Sequence, residues 1–358
     1  MKKVCFLIGN LSNSGGTERV TTLIANHLIT TAKYEISILS LVGGKQSFFE
    51  LNPKISIYSL NDKKVSFKSN YLNTVLKIRN FVKYNKINSL IVVDTIACIF
   101  TIPALFGLKV NHVCWEHFNF NNNNGLKIRD LSRNLAARYC DYIVTLTEKD
   151  KGWWQKGLKK INAEIISIPN PAPFSSQKNI SYKKKNIVLA VGRLTHIKGF
   201  DMLIESWAKV HKQQPKWKLM IVGEGEERAN LTNLILKYNL TECVELMGST
   251  NEISKYYNEA KIFCMSSRFE GFPMVLLEAQ SFGLPTVSFD CDTGPSEIIE
   301  HGINGLLVKI GDIDELAKKI LNLMHLNETE YQQMASSSCE NSYKYSVELI
   351  TEKWLRVI

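Results

Sequence analysis

The residues best suited to chemistry lie between positions 268 and 278, in Arg-Phe-Glu-Gly-Phe-Pro and the apolar stretch that follows it. Pro273 suits the first turn of a helix, so Glu270 is expected in the preceding loop and Glu278 on the helix. A Gly-x-Pro loop at a helix start can present backbone N–H groups to a phosphate. Glu278 could then reach a ribose diol, and Glu270 could bind sugar hydroxyls. The alternative is an ordinary pair of solvated carboxylates.

A second candidate is a pair of cations at the end of an apolar run. Gly192-Arg193 follows the β-branched stretch 187–191, and Lys198-Gly199 opens the next amphipathic stretch. The guanidinium offers a fork for bidentate contact with phosphate oxygens, and the ammonium offers a mobile point charge. Two cations five residues apart at a strand end can converge on a diphosphate.

A third candidate is Gly15-Gly16-Thr17, between the first apolar run and the first amphipathic stretch. Glycines here let a backbone approach a phosphate or a sugar. The spacing is not the G-x-G-x-x-G of dinucleotide-binding folds, which disfavours an NAD-dependent oxidoreductase, and no P-loop Lys-Ser/Thr pair follows. A simple glycine turn explains the motif equally well.

The elements that position these residues are short β-branched runs alternating with longer amphipathic stretches, a pattern typical of parallel sheets with helices on both faces. The predicted strands are 4–8, 34–41, 55–60, 89–93, 110–114, 141–146, 163–168, 187–191, 217–222, 243–247, 261–265, 285–289 and 305–308. The main predicted helices are 17–31, 70–84, 95–106, 126–139, 199–214 and 315–326. Three prolines at 169–173 and a polar, lysine-rich run at 175–186 indicate a linker between two domains.

The net charge is distributed unevenly between the two halves of the chain. Residues 1–170 hold 23 Lys/Arg and 11 Asp/Glu, a net charge of +12, whereas the remainder carries −2. A basic half suggests a polyanionic partner such as anionic lipid or nucleic acid, although a solvated basic surface is the plainer reading. No helix-turn-helix, zinc-finger or RNP pattern supports nucleic acid. Basic residues among aromatics favour an anionic membrane surface instead, in the stretches 67–86, 126–139 (Lys127, Arg129, Arg133, Arg138) and 149–160 (with Trp153 and Trp154).

Neither cysteine usage nor hydropathy points to export or to a membrane span. The eight cysteines are scattered without a C-x-x-C pair, so buried reduced thiols in a cytosolic protein explain them better than disulfides or a zinc site. The apolar stretch 90–108 is interrupted by Asp94 and Pro103, and it divides into a strand and a helix rather than a span of about 20 residues.

These motifs, taken in order, resemble the family-four retaining GT-B glycosyltransferases. The matching pieces are the glycine pair with Glu18, Gly192-Arg193 with Lys198-Gly199, Gly223-Glu-Gly225, Glu270-Gly-Phe-Pro with Glu278, Asp292-Thr-Gly294-Pro-Ser-Glu297 and Asn304-Gly305. The family's hallmark is two glutamates separated by seven residues, as Glu270 and Glu278 are here. Each piece is weak alone, but the ordered set spans nearly the whole chain.

The resemblance implies an α/β fold of GT-B type: two Rossmann-like, doubly wound domains facing a central cleft. Residues 1–170 would form an acceptor-binding domain, and residues 171–341 a nucleotide-sugar-binding domain. A helix at about 342–358 would pack back on the first domain.

The resemblance also implies roles for individual residues. Arg193 and Lys198 would hold the donor diphosphate, Glu278 the ribose, and Glu270 the transferred sugar. His117, in Cys-Trp-Glu-His after a predicted strand, would lie near that sugar. Backbone groups would face the β-phosphate at Gly16, Gly271, Phe272, Pro273, Met274 and Val275.

The implied reaction is retaining hexosyl transfer without a metal, because Arg and Lys replace the ion. The triplets Asp290-Cys-Asp292 and Asp312-Ile-Asp314 could hold a divalent ion in glycosyltransferases of another fold, but Asp312 precedes a helix and suits an ordinary cap. A UDP-sugar of the galactose or N-acetylgalactosamine type is favoured, with a polyprenyl-diphosphate-linked glycan as acceptor. The enzyme would be cytoplasmic and peripheral on the inner face of the membrane. A GDP-mannose enzyme or a GT-B epimerase remains the alternative.

Overall fold

The computed structural model describes residues 1–63, 69–123, 125–177 and 184–358. Residues 67–68 of the predicted basic stretch and 178–183 of the predicted linker lie outside the described residues. The chain divides into two compact units: unit 1 comprises Met1–Pro171 and Val347–Ile358, and unit 2 comprises Ala172–Ser346. The division falls one residue after the boundary expected from the sequence, and the returning segment starts at Val347.

Unit 1 contains a sheet of seven parallel strands in the order β3-β2-β1-β4-β5-β6-β7. Its strands are β1 Lys2–Ile8, β2 Tyr34–Ser40, β3 Ser56–Ser59, β4 Ser89–Val93, β5 Asn111–Trp115, β6 Tyr142–Thr145 and β7 Glu164–Ser167. Among the central strands, β4 is buried along its whole length, and β1 and β5 are buried at all but their first one or two residues, as expected when helices cover both faces of a parallel sheet. The strand order reverses between β1 and β4, and ligands of such sheets bind at this switch point, beyond the carboxyl ends of the strands.

The helices of unit 1 connect these strands. They are α1 Gly16–Thr30, α2 Tyr71–Asn85, α3 Cys98–Leu105, α4 Lys127–Tyr139 and α5 Glu148–Gly157, and a short 3-10 turn at Thr95–Ala97 leads into α3. Pro103 lies inside α3, near its end. No helix in the described part of the chain is long and apolar enough to cross a membrane.

Unit 2 contains six parallel strands in the order β10-β9-β8-β11-β12-β13, which reverses between β8 and β11. The strands are β8 Ile187–Val191, β9 Lys218–Val222, β10 Val244–Gly248, β11 Ile262–Met265, β12 Thr286–Phe289 and β13 Gly305–Val308. The helices are α6 Phe200–Gln213, α7 Arg228–Lys237, α8 Ile253–Glu259, α9 Met274–Ser281, α10 Pro295–Ile298, α11 Ile313–Met324 and α12 Glu328–Tyr343. Asp312 caps α11 by accepting the N–H of Glu315, as the sequence predicted.

The last helix, α13 Val347–Trp354, belongs to unit 1 and packs against α1. Trp354 contacts Trp115 edge to face, with ring centroids 4.6 Å apart. The final residues are tied to the sheet, since Asn111 Nδ2 donates to the Val357 carbonyl at 2.6 Å and Lys2 Nζ donates to the Ile358 carbonyl at 2.8 Å. The C-terminus therefore completes unit 1.

The fold confirms the prediction of two Rossmann-like, doubly wound α/β domains. Each predicted strand coincides with an observed one to within two residues at either end.

Candidate functional site

Four neighbouring strands of unit 2 end in the loops that hold the predicted site. Strand β8 leads to Gly192 and Lys198, β11 leads to Glu270, and β12 leads to Gly294, while β9 leads to Gly223. Because the strands are parallel, these loops all leave the same edge of the sheet. The switch point between β8 and β11 lies among them.

Lys198 and Glu270 meet at this edge although they are far apart in sequence. Lys198 Nζ lies 2.6 Å from Glu270 Oε1, and Ser267 Oγ donates to the same oxygen at 2.7 Å. The Lys198 side chain is 25% exposed and that of Glu270 11%. Thr293 Oγ1 donates to the Glu270 carbonyl at 2.9 Å, which fixes the backbone of the loop. The structure therefore presents a positioned ammonium beside a positioned carboxylate.

Two glycines allow the loops to approach one another. Gly199 has φ 63°, and a Cβ there would collide with the Ser266 carbonyl oxygen. Gly294 has φ 98°, and a Cβ there would lie 2.5 Å from Pro273 Cδ and 3.1 Å from the Gly271 carbonyl oxygen. Larger residues at either position would be strained and would force the loops apart.

Arg193 follows β8 and is exposed. Within the described residues its guanidinium makes no hydrogen bond or ion pair, so its donors remain available to a ligand. Arg268, in contrast, is held by Asp201 through a two-point contact of 2.7 and 2.6 Å, and it also donates to the His196 carbonyl at 2.8 Å. Burial opposes ionisation of Asp201, but Arg268 outweighs it and lowers the pKa of that carboxyl. These contacts join the loop after β11 to the loop after β8 and to the first turn of α6.

Glu278 lies on α9, just beyond the first turn, as predicted. Its side chain is 2% exposed, and Tyr257 donates its hydroxyl hydrogen to Glu278 Oε2 at 2.7 Å. Pro273 is the N-cap of α9, so Met274 and Val275 form its first turn. Backbone N–H groups in a first turn have no acceptor within the helix, and they carry the positive end of its dipole. Gly271 and Phe272 lead directly into this turn.

In unit 1, Gly15 is the N-cap of α1 and Gly16 its first residue. Thr17 Oγ1 donates to Glu18 Oε2 at 2.8 Å, and a Cβ at Gly15 would collide with that carboxylate. A larger residue at position 15 would displace the carboxylate end of the Glu18 side chain, while a Cβ at Gly16 would meet no other atom within 4 Å.

His117 follows β5 and packs against Trp115, with ring centroids 4.5 Å apart. Its Nε2 is buried and has no hydrogen-bond partner among the described residues. Burial lowers the pKa of His117 to about 4, so the ring is neutral at physiological pH and retains one lone pair and one N–H. The unpaired nitrogen is available to a ligand.

A buried ionic network that none of the sequence motifs includes lies beside His117. Glu116 is fully buried and lies 3.0 Å from Arg133 Nε and 3.3 Å from Arg129 Nη1. Arg129 also pairs with Asp94, and Arg133 donates to the carbonyls of Phe120, Asn119 and Asn122 at 2.6 to 3.0 Å. The spacing of two arginines four apart on one helix was the available signal, since it places both on one face.

This network corrects one expectation. The sequence pattern assigns Arg129 and Arg133 to a membrane-facing basic surface, but their side chains are 3% and 1% exposed because they neutralise Glu116 in the interior. The same pattern makes Trp154 an interfacial aromatic, but it is fully buried against Phe120.

Comparison with known proteins relates the chain to sugar-transferring enzymes. A family model described as "Glycosyl transferases group 1" matches residues 172–339, which lie within unit 2 and include Arg193, Lys198, Glu270 and Glu278.

Similar curated proteins cover the whole chain. An uncharacterized glycosyltransferase of Haemophilus influenzae is 39% identical over the full length of both chains. The amylovoran biosynthesis glycosyltransferase AmsD of Erwinia amylovora is 33% identical, with 99% of each chain covered. An α-1,4-N-acetyl-D-galactosaminyltransferase of Campylobacter jejuni, whose named substrate is an undecaprenol-diphosphate-linked glycan, is 29% identical and covers 100% of this chain and 98% of its own.

Solved structures share the fold at lower identity. TarM of Staphylococcus aureus in a complex containing UDP superposes with a TM-score of 0.81 at 19% identity, covering 100% of this chain and 99% of its own. HepE of Anabaena in complex with UDP gives a TM-score of 0.80 at 19% identity, with 99% of both chains covered.

Proposed function

The chain belongs to the group 1 glycosyl transferases, and from this premise we propose that it moves a hexose or N-acetylhexosamine from a nucleotide diphosphate sugar to a glycan acceptor in bacterial surface polysaccharide synthesis. Membership confirms the family resemblance drawn from the sequence, with AmsD among the relatives that carry the assignment. The observation that supports the reaction most directly is the Lys198–Glu270 pair at the switch point of unit 2.

We assign the donor diphosphate to Lys198 and Arg193, with the first-turn amides of α9 facing the β-phosphate. Arg193 has no protein partner in the described structure, and Lys198 is only partly committed to Glu270, since an ammonium has three donors. Preorganised cations of this kind stabilise the charge that develops on a departing nucleotide. Glu270 binds hydroxyls of the transferred sugar, and Glu278 binds the ribose.

Gly16 and His117 of unit 1 complete the proposal. Gly16 offers an unobstructed backbone for approach to the phosphate, and the neutral His117 offers an unpaired ring nitrogen to a sugar hydroxyl. Their roles rest on the family resemblance together with these two local properties.

Transfer proceeds with retention, by attack on the face from which the nucleotide leaves, through an oxocarbenium-like state. No protein nucleophile is needed in that scheme, so the protein contributes positioning and electrostatic support of the leaving phosphate. Lys198 and Arg193 supply the positive charge that a divalent ion supplies elsewhere, and the proposal therefore includes no catalytic metal.

The donor is proposed to be UDP-galactose or UDP-N-acetylgalactosamine. UDP is named in the complexes of TarM and HepE, and N-acetylgalactosamine in the name of the Campylobacter relative. A GDP-mannose donor is the alternative, as is an epimerase of the same fold that turns over the donor without an acceptor.

The experiment is transfer from UDP-Gal, UDP-GalNAc, UDP-Glc, UDP-GlcNAc and GDP-Man to synthetic polyprenyl-diphosphate glycans, followed by mass spectrometry. A product one sugar heavier from a UDP-sugar, lost in Glu270→Ala, supports the proposal. Wild-type turnover in Glu270→Ala would overturn the site assignment. Transfer from GDP-Man alone would move the enzyme to the mannosyl class, and donor turnover without acceptor would indicate the epimerase.

The acceptor is proposed to be lipid-linked, as in the name of the Campylobacter relative, and the enzyme to lie on the inner face of the cytoplasmic membrane. Unit 1 offers a surface suited to contact with the membrane. Helices α2, α3 and α4 pack side by side, and Arg79 ties α2 to the end of α3 by donating to the carbonyls of Ala104 and Phe106.

Large apolar side chains stand exposed on these three helices and their ends. They are Leu72, Leu76, Phe106, Ile128 and Leu131, with Phe106 83% and Leu72 73% exposed. Exposed cations accompany them at Lys83, Lys86, Lys109, Lys127 and Arg138. Exposed apolar side chains accompanied by exposed cations suit the interface of an anionic bilayer.

Sedimentation with vesicles tests this membrane surface. Leu72→Ser with Leu76→Ser should weaken binding to phosphatidylglycerol vesicles roughly tenfold or more, because burying one leucine contributes about 1.5–3 kcal/mol. Leu236→Ser, at an exposed leucine of unit 2, is the matched control. Equal binding by both variants, or equal binding to neutral phosphatidylcholine, would refute the assignment.

A further inference from the structure

The turn that carries Lys198 has little packing of its own to hold it in place. It is a single 3-10 turn, His196–Lys198, between β8 and α6. His196 and Ile197 are exposed, and Lys198 is half-buried. A short 3-10 turn has poor internal hydrogen-bond geometry, and a lysine ammonium sits at the end of a flexible four-carbon stem. The position of the Lys198 charge therefore depends on contacts that fix this turn from outside.

Those contacts come from the loop after β11. Arg268 donates twice, from Nη1 to the His196 carbonyl and from its backbone N–H to the Ile197 carbonyl, each at 2.8 Å. Ser266 Oγ donates to the Lys198 carbonyl at 3.0 Å. All three carbonyl groups of the turn thus accept a hydrogen bond from two residues of one neighbouring loop.

The Arg268 guanidinium is itself held in position by Asp201. The two groups make a two-point contact of 2.7 and 2.6 Å, and Asp201 lies in the first turn of α6. Two-point contacts between arginine and a carboxylate fix the orientation of the planar guanidinium. Because Nη1 contacts both Asp201 and the His196 carbonyl, the guanidinium links the start of α6 to the turn that carries Lys198.

The same loop also holds the partner of Lys198. Ser267, between Ser266 and Arg268, donates its hydroxyl hydrogen to Glu270 Oε1 at 2.7 Å, and Lys198 Nζ lies 2.6 Å from that oxygen. Both Ser266 and Ser267 are 1% exposed, so their hydroxyl groups lie in the interior of unit 2. The segment 266–270 therefore positions the ammonium and the carboxylate together.

We propose that Arg268 and Asp201 are positioning residues for sugar transfer, which hold the turn His196–Lys198 so that the ammonium lies where the departing diphosphate gains negative charge. The inference rests on the proposed assignment of Lys198 to that diphosphate. A preorganised charge is effective only at the correct position, and a displacement of about 1 Å can cost about 100-fold in rate. Arg268 acts only through Lys198 in this account, since its guanidinium is bound to Asp201 and His196.

The test is a double-mutant cycle between Arg268 and Lys198. Arg268→Ala should lower kcat/KM for transfer from UDP-Gal or UDP-GalNAc by roughly 10- to 100-fold. In a Lys198→Ala background the same change should cause less than about a twofold further loss, because the group that Arg268 positions is gone. UDP affinity, measured by titration calorimetry, should follow the same pattern. Arg268→Lys, which keeps a donor for Asp201, should recover part of the loss.

Asp201→Asn provides a second cycle if Arg268→Ala does not fold. It keeps the size of the side chain but removes the charge that orients Arg268, and it should lower kcat/KM roughly threefold or more, again only while Lys198 is present. The matched control is Lys218→Ala, which removes an ion pair with Glu245 at the amino ends of β9 and β10, the opposite edge of the same sheet. This control should keep the kcat/KM and UDP affinity of wild type.

Losses that multiply in the double variant would overturn the proposal, because Arg268 would then act on the donor directly or on the stability of unit 2. Wild-type kcat/KM in folded Arg268→Ala or Asp201→Asn would also overturn it. Failure of the proposed function looks different: Lys198→Ala itself would then keep the kcat/KM and UDP affinity of wild type, or wild type would not bind UDP. Either result would remove the donor assignment and this inference with it.

Discussion

Replacing Lys198 with alanine separates catalysis from stability at the centre of unit 2. The ammonium lies 2.6 Å from Glu270, and the two side chains are 25% and 11% exposed. An exposed ion pair contributes about 1 kcal/mol or less, while breaking a fully buried pair costs about 3–5 kcal/mol. Since Ser267 still donates to Glu270 in the variant, we expect a loss near the lower limit, about 1–2 kcal/mol. That corresponds to a fall of roughly 2–8 °C in Tm for a unit of this size.

Lys198→Ala should affect sugar transfer much more strongly than it affects stability. Removing one preorganised donor from a developing negative charge typically lowers kcat by about 10²–10³. We therefore expect Lys198→Ala to lower kcat/KM by that factor and to weaken UDP binding, measured by product chromatography and titration calorimetry. Glu270→Gln should abolish transfer but keep UDP affinity close to wild type, because Glu270 is assigned to the sugar.

Lys209→Ala is the matched control, since Lys209 pairs with Asp314 on the surface of the same unit. It should leave kcat/KM and UDP binding unchanged. A Lys198→Ala enzyme within threefold of that control would refute the assignment of Lys198 to the diphosphate.

Three further outcomes are expected. Arg133→Met removes the closer of the two arginine partners of the buried Glu116 and should cost about 3–5 kcal/mol of unfolding free energy, seen in calorimetry; a Tm within about 1 °C of wild type would contradict the network. Because the pKa of His117 is lowered to about 4, the unfolded chain binds protons more readily below about pH 6.5, so stability falls as pH drops towards 4. The stability of wild type relative to His117→Gln should therefore decrease over that range in urea titrations, and a constant difference would be inconsistent with a buried neutral ring. Transfer should persist in EDTA during short assays; a loss that manganese restores would show that a catalytic metal had been missed.

The sequence predicted the fold closely because its strand pattern and its helix pattern were both strong. Parallel strands buried on both faces read as uninterrupted apolar runs, such as 187–191, and the intervening helices carry a clear amphipathic period. Helix ends followed from local chemistry, as at Asp312. The strand order did not follow from local signals, since it depends on which helix crosses which face of the sheet.

The candidate site was predictable where a residue suited to bind phosphate or sugar comes soon after a predicted strand. Glu270, Lys198 and Arg193 each follow a strand, and parallel strands gather such residues at one edge. The Asp201–Arg268 clamp was not predictable, because Asp201 lies in none of the motifs and the contact depends on the loop after β11 packing against the first turn of α6. Arg129 and Arg133 were misjudged because a charged helix face normally faces solvent; only the three-dimensional position of Glu116 shows why they are buried.

The measurement that tests the central assignment most directly is a thermal-shift panel of UDP, GDP, ADP, their sugar conjugates and a short oligonucleotide. A ligand that binds only the folded protein stabilises it by about 2.7 kcal/mol at a hundredfold excess over Kd. We expect a clear rise in Tm with UDP and its sugar conjugates, and none with UDP in Arg193→Ala. No rise with any nucleotide, together with a rise with the oligonucleotide, would contradict the donor site and make the basic unit 1 the better clue to function.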